Sequence, residues 1–200
     1  KLILSDRGHS NIVQPDGVYI ITGGLGHIGL VFAKYLAEKN CNITIVLLQR
    51  SPFIDQSEWD DWLKLNPNDE EKSIKIRILK ELQQKGVSLY ITQCDVGNIN
   101  QLIEETSKIR EYFGSIRGII HAAGVVGGRM LSQIDSDQIT KILHAKIQGA
   151  LNLHNVFEKQ QVDFMIYCSA LSSITGAYGQ TLYNSANSFL DVFAQWRNNH

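Results

Sequence analysis

Proline is scarce in this sequence, three in 200 residues, and so is cysteine, confined to Cys41, Cys94 and Cys168. With 44% apolar residues beside so few prolines, a disordered chain is excluded. Three widely spaced thiols with no Cys-x-x-Cys exclude a disulfide framework and read as reduced, mostly buried thiols of a cytoplasmic protein. Long hydrophobic runs are missing too. "VYII" and "ITIVLL" are strand-length, far short of the roughly 20 residues of a membrane span. No signal peptide is expected, since "KLILSDRGHSNIVQPDG" turns polar after four residues. Nor is one sign of charge in excess: 19 basic against 20 acidic residues give a net charge of −1. Without a basic stripe there is no footprint for a phosphate backbone, so nucleic acid is not an expected partner. The six histidines form no metal-spaced pair, and no metal site is expected.

What is present is alternation. "VYIIT" (Val18–Thr22), "NITIVLL" (Asn42–Leu48), "VSLYITQC" (Val87–Cys94), "IRGIIHA" (Ile116–Ala122) and "VDFMIYCS" (Val162–Ser169) read as strands. Each is nearly continuous in apolar content, as strands buried on both faces are. Between them lie stretches of helical length at 27–39, 74–85, 98–113, 133–158 and 180–197. Strand-helix alternation predicts an α/β fold, a doubly wound parallel sheet in three layers. Residues 53–73, acidic and tryptophan-containing, read as an insertion after the second strand. Residues 1–16 lack a period and read as a linker or the exit from an upstream subdomain, with the catalytic unit over 17–200.

"YIITGGLGHIGLVFAKYLAEKN" is a strand, a turn and a helix. Gly23, Gly26 and Gly29 have the spacing of a dinucleotide-binding turn: one glycine for the tight bend, one for close approach of a pyrophosphate, one for packing of helix on strand. The plain alternative is a turn that needs φ > 0. Its position, between the first apolar strand and an amphipathic helix, favours the cofactor. The expected contacts there are Thr22, Gly23, Gly24, Leu25, Gly26, Ile28 and Gly29. At the end of the second strand "LLQRSP" offers Arg50 where NAD sites place a carboxylate. A guanidinium suits a 2′-phosphate, so NADPH is the expected cofactor, against the alternative of a solvated surface arginine. Asp95 and Val96 end the third strand, near an adenine edge. Ala122, Ala123 and Gly124 end the fourth, where small residues allow a nicotinamide ribose to approach.

Hydride delivery to a ketone leaves negative charge on oxygen. A tyrosine phenol can supply the proton if a nearby cation favours its ionised form. Tyr183 and Asn187 lie four apart on a predicted helix and share a face. Alone, that pair is as readily an aromatic ring packed in a helix.

"TGGLGHIG", "HAAGV", "HAKIQGALNLH" and "YNSANSFLDVFAQWR" together resemble the ketoreductase domain of modular polyketide synthases, within the short-chain dehydrogenase/reductase superfamily. The resemblance covers about residues 17–197. Most short-chain reductases carry lysine four residues after the tyrosine; polyketide ketoreductases have asparagine there and take the lysine from an upstream helix. The resemblance therefore implies Tyr183 as proton donor, Lys146 as the cation that supports it and holds the nicotinamide ribose, and Asn187 as support for the ribose and proton relay. By spacing alone Lys146 would be a surface lysine. The resemblance also implies a ketoacyl substrate on the phosphopantetheine arm of an acyl carrier protein, other synthase domains as partners, and further strands beyond residue 200.

One position departs from the family. Where it has a serine thirteen residues before the tyrosine, this sequence has Ala170, although Ser169, Ser172 and Ser173 keep the serine-rich surroundings. Loss in this protein, an introduced substitution and a backbone shift that presents another serine all remain open. The last ranks lowest, because alternation points Ser169 away from the face of Ala170. Ala170 also motivates a second reading, a ketoreductase-like module without full activity. A third, a nucleotide-sugar epimerase or dehydratase, shares the glycine turn but uses Tyr-x-x-x-Lys. Product handedness is left open: "GVVGGRM" lacks Leu-Asp-Asp, and Thr175 stands where one class has tryptophan.

Overall fold

Residue parity along the first two strands builds the core. In β1 (Val18–Thr22) every residue is buried. Tyr19 and Ile21 point to one face of the sheet, with Ile45 and Leu47 of β2 (Thr44–Gln49). Val18 and Ile20 point to the other, with Val46 and Leu48. A strand that buries both faces needs helices on both, and the computed structural model, which describes residues 12–40, 42–125 and 133–199, has them. On the first face lie α1 (His27–Lys39), the short α2 (Trp59–Leu65) and α3 (Glu70–Gln84), through Leu30, Leu36, Trp59, Ile76, Leu79 and Leu82. On the second lie α4 (Ile99–Phe113) and α6 (Gly149–Phe157), through Leu102, Ile109, Leu153 and Phe157.

β3 (Ser88–Gln93), β4 (Ile116–His121) and β5 (Phe164–Tyr167) complete an all-parallel sheet in the order β3-β2-β1-β4-β5. The chain winds outward from β1 in both directions. That reversal leaves a crevice at the C-terminal ends of β1 and β4, the usual ligand position of such sheets. Among the described residues β5 lies at the edge of the sheet, partly exposed, with Ile166 38% accessible. Gly118 in β4 makes room beside it: a Cβ there would lie 2.3 Å from the Phe164 ring, which stacks on Tyr19.

Three sequence expectations need adjusting. The 53–73 stretch contributes to the core and to the next helix, which was expected only from residue 74. Trp59 is buried in the core, and α3 begins at Glu70, capped by Asp69, inside that stretch. The helix expected over 133–158 is broken into α5 (Ser136–Leu143), a π-helical segment at His144–Gln148, and α6. β5 is shorter than Val162–Ser169, and after it come α7 (Ser172–Thr175) and then α8 (Thr181–Asn199). Of residues 12–16, Val13 is buried in the core and the Gln14 N–H donates to the Tyr19 hydroxyl at 2.7 Å. The rest of the proposed N-terminal linker, and the "GVVGGRM" stretch from residue 126, lie outside the described residues. Among the described residues no helix is long and apolar enough to cross a membrane.

Candidate active site

The turn after β1 uses each glycine differently. Gly23 has φ +64°, and a Cβ there would sit 2.8 Å from the Ala123 backbone. A Cβ on Gly29 would meet the Gly23 and Gly24 carbonyl oxygens at 2.6 and 2.7 Å, so this glycine lets α1 seat on the turn. On Gly26 it would meet only the Gly23 carbonyl oxygen, at 3.1 Å, leaving that side open. Gly26 is also the N-cap of α1. Where Asp69, Asn98 and Asp135 cap α3, α4 and α5 with side-chain oxygens, Gly26 contributes none, and no acidic residue follows in the first turn. The first N–H groups of α1 thus keep their donors and their share of positive dipole for an anion.

A cleft of about 280 Å³ opens beside this turn. Its walls include Thr22, Gly23, Leu25, Gly26, Arg50, Asp95, Val96, Ala123 and Gly124, all expected from the sequence, together with Ser51, Lys75, Cys94 and Ala145, which were not. Four expected contacts are not among the walls. Gly24 packs on Leu47, Gly29 on the turn carbonyls, Ala122 donates its N–H to the Thr22 carbonyl, and Ile28 is 54% exposed on α1. Burial pushes the Cys94 thiol up to about 12, so it stays protonated and is no nucleophile. The Asp95 carboxylate is committed within the protein: Oδ1 accepts the Gly97 N–H at 2.9 Å, and Oδ2 lies 3.1 Å from His144 Nε2.

The strand ends are tied together beneath the cleft. His121, at the end of β4, is 1% exposed. Its Nε2 faces the Lys146 carbonyl at 3.3 Å and its Nδ1 the Thr22 hydroxyl at 2.7 Å. A carbonyl only accepts, so Nε2 carries the proton and Nδ1 accepts from Thr22. The Thr22 oxygen in turn accepts the Ala123 N–H at 3.2 Å. Burial drives the His121 pKa down to about 4, so the ring is neutral near pH 7.

This network holds the segment that carries Lys146. The i to i+5 bonding at His144–Gln148, with the Gly149 N–H on the His144 carbonyl, is a π-bulge of the kind common at functional sites. It turns Lys146 inward. The residue is 5% exposed, against the surface position that spacing alone suggested. Its Nζ donates to the Cys168 carbonyl at 3.0 Å and lies 5.3 Å from the centroid of the Tyr183 ring. Burial lowers its pKa from the usual lysine range, while Asp191 is among the charges that oppose the shift. Its stem also borders the cleft: a Cβ on Gly124 would lie 3.0 Å from Lys146 Cε.

Tyr183 and Asn187 both lie on α8. Asn187 is wholly buried, and its Nδ2 donates to the Tyr183 carbonyl at 2.9 Å. Its Oδ1, also buried, accepts no hydrogen bond from any described residue. Ala170 sits in the turn from β5 into α7. Two neighbouring hydroxyls are engaged elsewhere: Ser169 Oγ donates to the Asn187 carbonyl at 3.3 Å, and Ser173 Oγ lies 2.7 Å from Asp191 Oδ2 and 2.8 Å from the Ala170 carbonyl. The structure thus brings Lys146, Tyr183 and Asn187 together next to a glycine-lined cleft. Sequence reasoning missed Lys75, His144 and His121, whose types and spacing alone resemble half of an exposed ion pair, a helix surface residue and strand-end packing.

Sheet order, glycine turn and cleft define a dinucleotide-binding α/β protein of the short-chain dehydrogenase/reductase fold. Residues 17–200 match the KR domain family, and the chain belongs to it. It is 33% identical over 198 residues to 6-methylsalicylic acid synthase of Penicillium patulum, covering 98% of this chain and 11% of that protein. It is 32% identical over 187 residues to mellein synthase of Phaeosphaeria nodorum, covering 92% and 10%. The chain thus spans about a tenth of these synthases' length. A ketoreductase domain from the bacillaene assembly line superposes with a TM-score of 0.79 at 31% identity, covering 92% of this chain and 40% of that one.

Proposed function

We propose that this chain reduces the ketone of an acyl group, carried on the phosphopantetheine arm of an acyl carrier protein, to a hydroxyl with NADPH, within a cytoplasmic polyketide synthase. The observation that carries the reading is the placement of the Lys146 ammonium over the Tyr183 ring at the edge of the glycine-lined cleft. The residues present fit a dinucleotide. The uncapped start of α1 suits the pyrophosphate, Arg50 the 2′-phosphate, Asp95 and Val96 the adenine side, and Ala123 and Gly124 the nicotinamide ribose. When bound, the cofactor supplies a hydride to the carbonyl carbon.

The protein's part is to supply the proton. Tyr183 donates its phenolic proton to the carbonyl oxygen as charge develops there. Lys146, fixed by the Cys168 carbonyl, places a positive charge beside the tyrosinate that results. Asn187 Oδ1, an acceptor in need of a donor, suits a water or ribose hydroxyl on the path by which the proton is replaced. Ala170 gives the carbonyl oxygen no side-chain donor, a loss of about 10²–10³ in kcat by analogy with removing one oxyanion donor.

Reduction of a β-ketoacyl thioester by the full-length protein, followed as NADPH consumption, tests the reading. No turnover even with Ala170→Ser rejects it. Ala170 favours a second reading, a ketoreductase-like module that binds cofactor or braces its synthase without turnover. Normal turnover of the intact protein with Ala170 present rules that out.

A further inference from the structure

The β2 end of the cleft holds a second cation. Lys75, in the second turn of α3, lines the same cleft as Arg50 and Ser51. It is the one lysine of α3 that does so; Lys72 and Lys80 pair with Asp69 and Asp60 outside its walls. The Lys75 side chain is 21% exposed, and its Nζ lies 2.6 Å from Glu71 Oε1, one turn earlier, on a side chain 73% exposed. Hydrogen bonding to Lys75 holds the Glu71 carboxyl below its ordinary range, and His27 at the start of α1 adds to the same field. Lys75 thus reaches, from the start of α3, the cleft wall that Arg50 and Ser51 form after β2. There an arginine and a lysine line the cleft, and the Glu71 carboxylate pairs with the lysine from outside its walls.

Such a pair is readily exchanged. One partner is exposed to water, and an i, i+4 pair of this kind is weakly held. A phosphate dianion offers more charge and three acceptor oxygens. We propose that Lys75 leaves Glu71 to become the second cation on the 2′-phosphate of NADPH, beside Arg50, and that Glu71 tempers the preference for NADPH over NADH. This rests on the NADPH reading above. Arg50 supplies a planar fork and Lys75 a point charge. Glu71 stays nearby, repels the dianion, and accepts a hydrogen bond from an unphosphorylated ribose without penalty. Two substitutions on one helix turn therefore move the preference in opposite directions.

Calorimetric titration of the intact protein with NADP⁺ and with NAD⁺ tests this without turnover. Lys75→Met weakens NADP⁺ by about tenfold, the scale of one charge-assisted contact, and leaves NAD⁺ unchanged, which also confirms an intact fold. Lys75→Arg keeps the preference. Glu71→Gln, which leaves the lysine in place, tightens NADP⁺ several-fold and not NAD⁺. If the unsubstituted protein does not prefer NADP⁺, the NADPH reading fails and this inference with it. If it does prefer NADP⁺ and Arg50→Met abolishes the preference, while neither Lys75→Met nor Glu71→Gln changes it, the role of Lys75 is overturned and the NADPH reading stands.

Discussion

His121 makes stability depend on pH in a way one substitution removes. Folding depresses its pKa from 6.5 to about 4, chiefly because burial takes the charged ring out of water; the hydrogen bond to the Lys146 carbonyl opposes the shift and the Lys146 charge adds to it. In the window between those values the unfolded chain binds a proton that the folded chain refuses. Stability is therefore complete above pH 6.5 and is lost as pH falls toward 4. Linkage puts the loss at about 2 kcal/mol by pH 5 and about 3 kcal/mol by pH 4. The assay is urea unfolding of the parent and His121→Asn at pH 7 and pH 5. Whatever the variant loses at pH 7, through the unpaired Thr22 hydroxyl and Lys146 carbonyl, its further loss at pH 5 is smaller than the parent's by about 2 kcal/mol. Contributions of the other ionisable groups cancel in the difference. Equal losses in both proteins would refute the neutral, buried ring and the tautomer assigned from it.

The glycines of the turn separate stability from binding. Gly29→Ala forces a methyl against two carbonyl oxygens and lowers stability by about 1–3 kcal/mol in thermal unfolding. Gly26→Ala leaves the melting temperature nearly unchanged but weakens dinucleotide affinity in a titration, because its methyl projects where nothing but the Gly23 carbonyl lies. Ala170→Ser raises kcat by about 10²–10³ for a ketoacyl thioester, with KM changing far less. An unchanged kcat would show that another group already serves the carbonyl. Lys146→Met lowers kcat by about 10²–10⁴ while the protein stays folded, since methionine fills the same buried channel without a charge; a variant of unaltered kcat would remove Lys146 from the mechanism.

Continuous apolar strands such as "VYIIT" made the parallel sheet legible, because burial on both faces leaves no alternation to misread. The roles of Gly23 and Gly29 were legible for a related reason: only a bare Cα fits where backbone meets backbone. The break at His144–Gln148 was not legible. Its residues have ordinary helical propensity, and the bulge is imposed by contacts far away in sequence, those of His121 and Asp95. That tertiary constraint also explains why a lysine of ordinary spacing is buried. The burial of Trp59 was not legible among its acidic neighbours: its ring fills the core while its Nε1 donates to the Ile54 carbonyl. Lys75 and Glu71 had the signature of an exposed helix pair. Only the cleft wall that Lys75 shares with Arg50 gives them a second context.

The extra residue accommodated at His144–Gln148 has a genetic corollary. Each residue in a regular helix advances the side chains by about 100°. Deleting one codon in this stretch would let the segment relax into an unbroken α-helix, at little cost in local stability. The flanking helices would largely keep their faces, because the widened turn already absorbs the extra residue, but the bulge that turns Lys146 inward would be lost. Lys146 and the face of α6 that packs on the sheet could no longer both point inward. This part of the sequence therefore tolerates changes of letter better than changes of length, and insertions and deletions here should be selected against more sharply than in the loops on either side.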